Sequence, residues 1–140
     1  MDILKFLGAI LPISIIIKAV NYLIKNKMAH FRCETDTGKS DFYRGYFNVY
    51  FHFINDGKSD AKNVRIEMLP PENEIDKEKF LKFANKYKLG PYELINSNSE
   101  KIDNSITSNI LSAPKTLKIK ITWNDGFRNN RHQVFSVDLY

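Results

Sequence analysis

Residues 43–68 read YRGYFNVYFHFINDGKSDAKNVRIEM. Apolar and aromatic side chains occupy every odd position from 47 to 53, which is the period-two pattern of a β-strand with one buried face. The run NDGK, residues 55–58, then combines residues that favour tight turns. Beyond the turn, Val64, Ile66 and Met68 alternate with polar residues until Pro70 ends the run. The stretch therefore predicts two strands joined by a short turn.

Similar alternation recurs on both sides of this stretch. Phe31, Cys33 and Thr35 indicate an earlier strand, and further β-structure is expected over residues 92–95 and 102–111. A hairpin is predicted from residues 117–123 and 133–139 around a turn at 124–131. Residues 73–89 differ, because their apolar side chains recur at helical spacing, with Asp76 near the start and Gly90-Pro91 at the end. We therefore expect about seven strands and one short helix that crosses between two sheets.

The segment from Phe51 to Ile66 also carries a family resemblance. It resembles the strand–turn–strand of bacterial immunoglobulin-like, CARDB-like modules, in which an apolar strand ends in Asn-x-Gly and an Ala-x-x-Val-x-Ile strand follows. The resemblance implies an immunoglobulin-like β-sandwich from a bacterial source. Such modules share a shape and differ in their partners, so the resemblance implies a binding role and transfers no catalytic residues.

A hydrophobic segment precedes the strands. Residues 6–17 read FLGAILPISIII without a charge, and the apolar character continues after Lys18. Residues 3–24 have about the length that a bilayer-spanning helix needs at ~1.5 Å per residue. Lys18 could extend its ammonium to the interface, and Pro12 is tolerated, with a kink, inside a membrane helix. We expect a single transmembrane helix, with a membrane anchor and juxtamembrane segment at 1–28 and a β-sandwich domain at 29–140.

Three other interpretations of this segment stay open. A cleaved signal peptide would need a better cleavage site than residues 25–29 offer. A helix lying on the membrane surface would need a charged face, whereas this segment is apolar almost all round. A helix buried in a protein core is the third alternative.

Charge bears on both orientation and partner class. The chain carries a net charge of +5, of which +4 lies within residues 1–32. The sandwich is thus close to neutral, which argues against nucleic-acid binding. Lys25, Lys27 and Arg32 follow the apolar segment, and the positive-inside rule places that side in the cytoplasm. A single cysteine, Cys33, rules out an intrachain disulfide and suits a cytoplasmic domain.

No group of residues predicts catalysis. The sequence contains no nucleophile elbow, phosphate loop or dinucleotide fingerprint. His30, His52 and His132 are scattered, so we predict no metal, cofactor or catalytic residue and no enzyme activity. Cys33 is expected to be a half-buried apolar residue, and Trp123 to cap the core at the end of its strand.

The strand at 42–54 carries the only candidate site. Its even positions hold aromatic residues where a sandwich strand normally turns a polar face outward. A cover is therefore expected: the helix near 76–88, a second copy of the chain, or a protein partner. The predicted partner-binding residues are Phe42, Arg44, Tyr46, Tyr50 and His52.

These features together predict the class of function. We expect a non-enzymatic binding or adaptor module, tethered to the cell membrane by one helix in the lipid bilayer and acting through protein–protein contacts in the cytoplasm. The alternative is a cell-envelope module that faces outward and binds carbohydrate or a surface partner.

Overall fold

A computed structural model describes residues 12–38, 45–103, 106–109 and 111–140. The described part of the chain contains two helices and eight strands, and is mainly β. The helices are α1 (Ile13–Lys25) and α2 (Glu74–Lys86). The strands are β1 (Phe31–Gly38), β2 (Tyr46–Asn55), β3 (Ala61–Leu69), β4 (Tyr92–Ile95), β5 (Ser99–Ile102), β6 (Ile106–Asn109), β7 (Thr116–Asn124) and β8 (Arg131–Asp138).

The first sheet, sheet A, is built around β2. Antiparallel β1 lies on one side of β2, and β5 and β6 pair with successive halves of its other side. The β-structure predicted over 102–111 is confirmed in part: the end of β5 and all of β6 lie in this range, and the two strands pair with β2 in registers that differ by one residue. Asp103 ends β5, and its carboxylate accepts hydrogen bonds from the Gly90 amide and the Tyr92 hydroxyl. Asp103 thus bonds to both sheets, because its amide also donates to the Phe51 carbonyl of β2 at 2.9 Å.

The second sheet, sheet B, has the antiparallel order β4–β3–β7–β8. The predicted hairpin at the end of the sequence is confirmed as β7 and β8, paired from Thr116 with Asp138 to Trp123 with Arg131. A register shift interrupts the pairing of β3 with β7 between Lys62 and Arg65. Asn63, at this shift, has a φ of 50°, a conformation that asparagine tolerates better than most residues.

The two sheets face each other in a sandwich-like arrangement. The odd positions of β2 and the apolar positions of β7 meet between them, and each of their large side chains is at most 1% exposed. Trp123 is fully buried, with its ring centroid 4.9 Å from that of Phe31, as expected of a residue that caps the core. The principal core residues are Phe31, Phe47, Val49, Phe51, Phe53, Val64, Ile95, Leu117, Ile119, Ile121, Trp123 and Leu139.

Helix α2 confirms the helical spacing read from the sequence, but its position differs from the prediction. It connects β3 to β4, which are neighbours in sheet B, so it does not cross between the sheets. Phe80 and Phe83 join the core, and the Tyr87 hydroxyl donates a hydrogen bond to the Thr107 carbonyl of β6. Tyr46 and Tyr50 remain 49% and 40% exposed, so α2 does not cover the even face of β2.

One side of the sandwich is closed by bonds between the two sheets. The hydroxyls of Thr35 and Thr37 in β1 donate to the carbonyls of Asp138 and Leu139, at 2.8 and 2.9 Å. The Phe31 amide donates to Gln133 Oε1 of β8 at 2.8 Å. Side chains thus connect two strands that no shared sheet joins.

Helix α1 begins immediately after Pro12. Pro12 is extended, with a ψ of 143°, and its carbonyl accepts the first hydrogen bonds of the helix. Pro12 thus stands at the N-terminal boundary of α1, where a proline fits better than in a helix interior. The kink expected at Pro12 also involves the residues before it, which lie outside the described part of the chain. Residues 1–11 lie outside the described part of the chain. Within that part, no helix combines the length and the apolarity needed to cross a membrane.

Candidate interaction site

The junction between α1 and the sandwich is short and bonded throughout. After the turn at Asn26 and Lys27, residues 28–30 run along the loop that joins β2 to β3. The Met28 carbonyl accepts from the amides of Lys58 and Ser59, at 3.0 and 3.2 Å, and the His30 carbonyl accepts from Asp56 at 2.9 Å. Ala29 is 1% exposed. The chain therefore joins the sandwich within a few residues of the end of α1.

Asp125 is the centre of this junction. Its side chain has no exposed surface, and Oδ2 accepts from the Ala29 amide at 2.8 Å, Trp123 Nε1 at 3.0 Å and an Arg131 guanidinium nitrogen at 2.6 Å. Oδ1 accepts from the amides of Phe127 and Arg128, both at 3.0 Å. One carboxylate thus binds the junction, the end of β7 and the β7–β8 loop together.

The environment of Asp125 favours its charged form. Burial by itself raises the pKa of the carboxyl, but the hydrogen bonds from Trp123, Ala29, Arg128 and Arg131 outweigh it and leave the pKa below its ordinary value. Each donor is bonded more strongly by the carboxylate than by the neutral acid. The junction is therefore built around a permanent negative charge at neutral pH.

Two glycines allow the loops to lie against the junction. A Cβ at Gly57 would lie 2.4 Å from the His30 nitrogen, closer than real Cβ contacts allow. A Cβ at Gly126 would lie 3.3 Å from the Lys27 carbonyl oxygen. The buried Asn55 amide adds bonds to the carbonyls of Ser59 and Ile95, at 2.9 and 3.1 Å. The loops between β2 and β3 and between β7 and β8 therefore flank the base of α1.

Helix α1 itself exposes an apolar surface. None of its residues is buried, and Ile13, Tyr22 and Leu23 are between 62% and 75% exposed. Its four polar residues are spaced four, three and four apart, which places them on one narrow face. The expectation of a segment apolar almost all round is therefore corrected for the helical part: α1 is amphipathic. Its polar residues are Ser14, Lys18, Asn21 and Lys25.

The outer face of sheet A holds the predicted partner-binding residues that the structure describes. Tyr46, Tyr50 and His52 lie on this face of β2, while Phe42 and Arg44 lie outside the described residues. The strand register places Asp36 beside Tyr50 and Glu34 beside His52. His52 Nδ1 lies 3.5 Å from a carboxylate oxygen of Glu100 on β5.

This face combines exposed apolar groups with a net negative charge, because Arg32 on the same face of β1 pairs with Glu34 at 3.0 Å and the other carboxylates remain. Ile102, paired with His52, is 53% exposed and extends the apolar surface that begins at the two tyrosines. The acidic residues of the outer face of sheet A come from strands on both sides of β2, and only the register of the sheet brings them together. Alternation in β1 indicated a strand but not which face of sheet A its even positions join. The residues missed from the sequence are Glu34, Asp36, Glu100 and Ile102.

The described residues give little support to a metal site or to a nucleophilic cysteine. Among the residues described, no group of three or more His, Cys, Asp or Glu side chains is placed to hold a metal ion. Cys33 is half-buried and packs against the core, as expected. Burial, followed by the charge of Glu34, raises the pKa of its thiol to about 12, which opposes a role as a nucleophile.

Comparison of the chain with protein-family models, with curated proteins and with solved structures finds no match in any of the three.

Proposed function

We propose that the protein is a membrane-tethered, non-enzymatic binding module. The observation that carries this proposal is α1, an amphipathic helix that exposes its apolar residues and leads directly into a bonded junction with the sandwich. An isolated helix of 13 residues is marginal in water, since helices shorter than ~12–15 residues gain too few bonds to offset nucleation. Contact with lipid would both bury the apolar side chains and stabilise the helix.

The apolar part of the sequence supports a spanning anchor. Residues 3–24 have about the length that a bilayer crossing needs, at ~1.5 Å per residue across ~30 Å. The polar face of α1 supports the other arrangement, in which the helix lies along the membrane surface. Both arrangements tether the sandwich, and they differ in how the protein is extracted from membranes.

The tether is tested by fractionation of the full chain. We expect it to float with vesicles and to resist extraction by high salt. Resistance to carbonate as well indicates a spanning anchor, whereas release by carbonate indicates a surface helix. Ile16→Asp with Leu23→Asp should release the protein, because both positions lie on the apolar face. Ser14→Asp with Asn21→Asp adds the same charges to the polar face and is the matched control. A wild-type chain that stays soluble during flotation would refute the tether.

The binding role rests on the outer face of sheet A. Exposed tyrosines beside carboxylates suit a partner that presents basic and apolar side chains. We expect a photo-crosslinking amino acid in place of Tyr50 to give a defined product in native membranes. The same group in place of Val134, 52% exposed on the outer face of sheet B, is the control. A product of twice the chain mass would indicate self-association, and identical products at both positions would refute a specific partner.

Kinship with CARDB-like modules and a cytoplasmic location complete the proposal. The segment that carries the resemblance forms β2, the tight loop and β3, and this loop connects the two sheets, which is compatible with an immunoglobulin-like arrangement. Lys25, the last residue of α1, and Lys27, two residues beyond it, support a cytoplasmic sandwich.

A further inference from the structure

The β7–β8 loop presents an aromatic side chain beside the base of α1. Phe127 is 43% exposed, although its own amide is held by Asp125 at 3.0 Å. The neighbouring Arg128 amide is held by the same carboxylate, and the Asp125 amide donates to the Arg128 carbonyl at 3.1 Å. A large apolar side chain is thus exposed on a loop whose backbone is fixed.

The distance from this loop to the end of α1 is short. Gly126 packs against Lys27, only two residues beyond the last residue of α1. Two residues span at most ~7 Å. The headgroup layer on each side of a bilayer is about 5–8 Å thick. A membrane that holds α1 would therefore lie within reach of the β7–β8 loop.

The exposed charges at this end of the sandwich are mainly positive. Asp56 is paired with His30 and Arg32, and Asp125 is buried against Arg131. Asp60 accepts from the Ser97 amide and keeps an exposed negative charge. Four basic side chains around the loop are exposed to solvent and outnumber it. They are Lys25, Lys27, Lys58 and Arg128.

We propose that this end of the sandwich, which we name the basal end and define by Lys27, Lys58, Phe127 and Arg128, rests on an anionic lipid surface. Phe127 enters the interface between headgroups and acyl chains, and the cations bind lipid phosphates or carboxylates. The proposal rests on the membrane tether, and it holds whether α1 spans the bilayer or lies along it. It adds that the sandwich has a defined orientation on the membrane, with both sheets standing away from the lipid.

The test uses the full chain on vesicles that contain anionic and brominated lipids. Phe127→Trp places a second indole at the basal end, while the buried Trp123 supplies a constant background in every variant. We expect brominated lipid to quench most of the added emission. Val134→Trp and Tyr50→Trp, on the outer faces of sheets B and A, are matched controls whose added emission should persist. Lys58→Glu with Arg128→Glu in the Phe127→Trp chain should restore the emission, whereas Arg65→Glu with Lys120→Glu should not.

Three outcomes separate the two proposals. Flotation with selective quenching at Phe127→Trp supports the basal contact. Flotation with equal quenching at Phe127→Trp and Val134→Trp overturns the basal contact and leaves the tether intact. Failure of the wild-type chain to float overturns both.

Discussion

At the scale of single residues, Asp125 has the largest structural role at the junction. Substitution by asparagine keeps the shape but turns one acceptor oxygen into a donor, so that several of the five donors around it lose their bond. It also leaves Arg131, 15% exposed, without its counter-charge. We expect Asp125→Asn to lower the free energy of unfolding by about 3 kcal/mol, measured by urea denaturation.

Asp56→Asn is the control for that measurement. Asp56 pairs with His30 and Arg32 on the surface, where its side chain is 36% exposed, so we expect a loss of less than about 1 kcal/mol. Equal losses for the two variants would contradict the central role of Asp125.

The same carboxylate makes stability depend on pH. Because the pKa of Asp125 is lower in the folded state than in the unfolded state, its contribution is complete above the unfolded value of about 4. The contribution is lost as the pH falls through the folded value. We expect the urea concentration at the midpoint of unfolding to decrease as the pH is lowered below 4. The decrease should be less steep in Asp125→Asn than in the wild type. Parallel pH profiles would show that other carboxylates control acid unfolding.

Cys33 should be inert in the folded protein. A thiol with a pKa near 12 is almost entirely protonated at pH 8, and the thiolate is the reactive form. We expect alkylation of Cys33 to be slow in buffer and complete within minutes in urea, followed by mass spectrometry. Rapid labelling under native conditions would show that the side chain is more accessible than its half-buried position indicates.

At the scale of elements, the two faces of β2 should respond differently to truncation. Phe51 is fully buried, so Phe51→Ala should cost about 3–5 kcal/mol. Tyr46→Ala with Tyr50→Ala removes side chains that are 49% and 40% exposed, and should cost less than about 1 kcal/mol. Urea denaturation compares the two, and crosslinking to a partner should decrease only in the tyrosine variant. If the tyrosine pair proves as costly as Phe51→Ala, that face is interior.

Local patterns predicted most of these elements. Strict alternation is enough for β2, β7 and β8, because each buries one face against the other sheet. Helix α2 followed from the spacing of Phe80, Phe83 and Tyr87. The bonds that Asp103 accepts from Gly90 and Tyr92 could not be predicted, because these residues approach it only in the folded chain.

The candidate site was only partly predictable for the same reason. Tyr46, Tyr50 and His52 share a face through their spacing within one strand, which a sequence displays directly. Glu34, Asp36 and Glu100 join them through the register with β1 and β5, which no local pattern specifies. The fixed junction depends on Asp125 and the Ala29 amide, 96 residues apart in sequence.

At the scale of the whole molecule, the side of the membrane that the sandwich occupies can be measured with an added cysteine. The native Cys33 is unsuitable for this labelling, because its thiol is half-buried and its pKa is raised to about 12. Ser136 is exposed on the outer face of sheet B, so Ser136→Cys provides a reactive thiol. A membrane-impermeant maleimide should label this variant only after lysis if the sandwich is cytoplasmic. Labelling in intact cells would favour the outward-facing, cell-envelope alternative.

The bonds between the segment 29–37 and the β7–β8 hairpin also determine how late in synthesis folding can be completed. Ala29, Phe31 and Thr35 find their partners in Asp125, Gln133 and Asp138, which the ribosome adds some hundred residues later. Helix α1 and its junction are thus made early but cannot reach their final bonded state until β8 has emerged. Throughout that interval, the nascent chain carries an exposed apolar helix and an edge of β1 that still lacks its bonds to β8, which are features that chaperones and insertion machinery recognise.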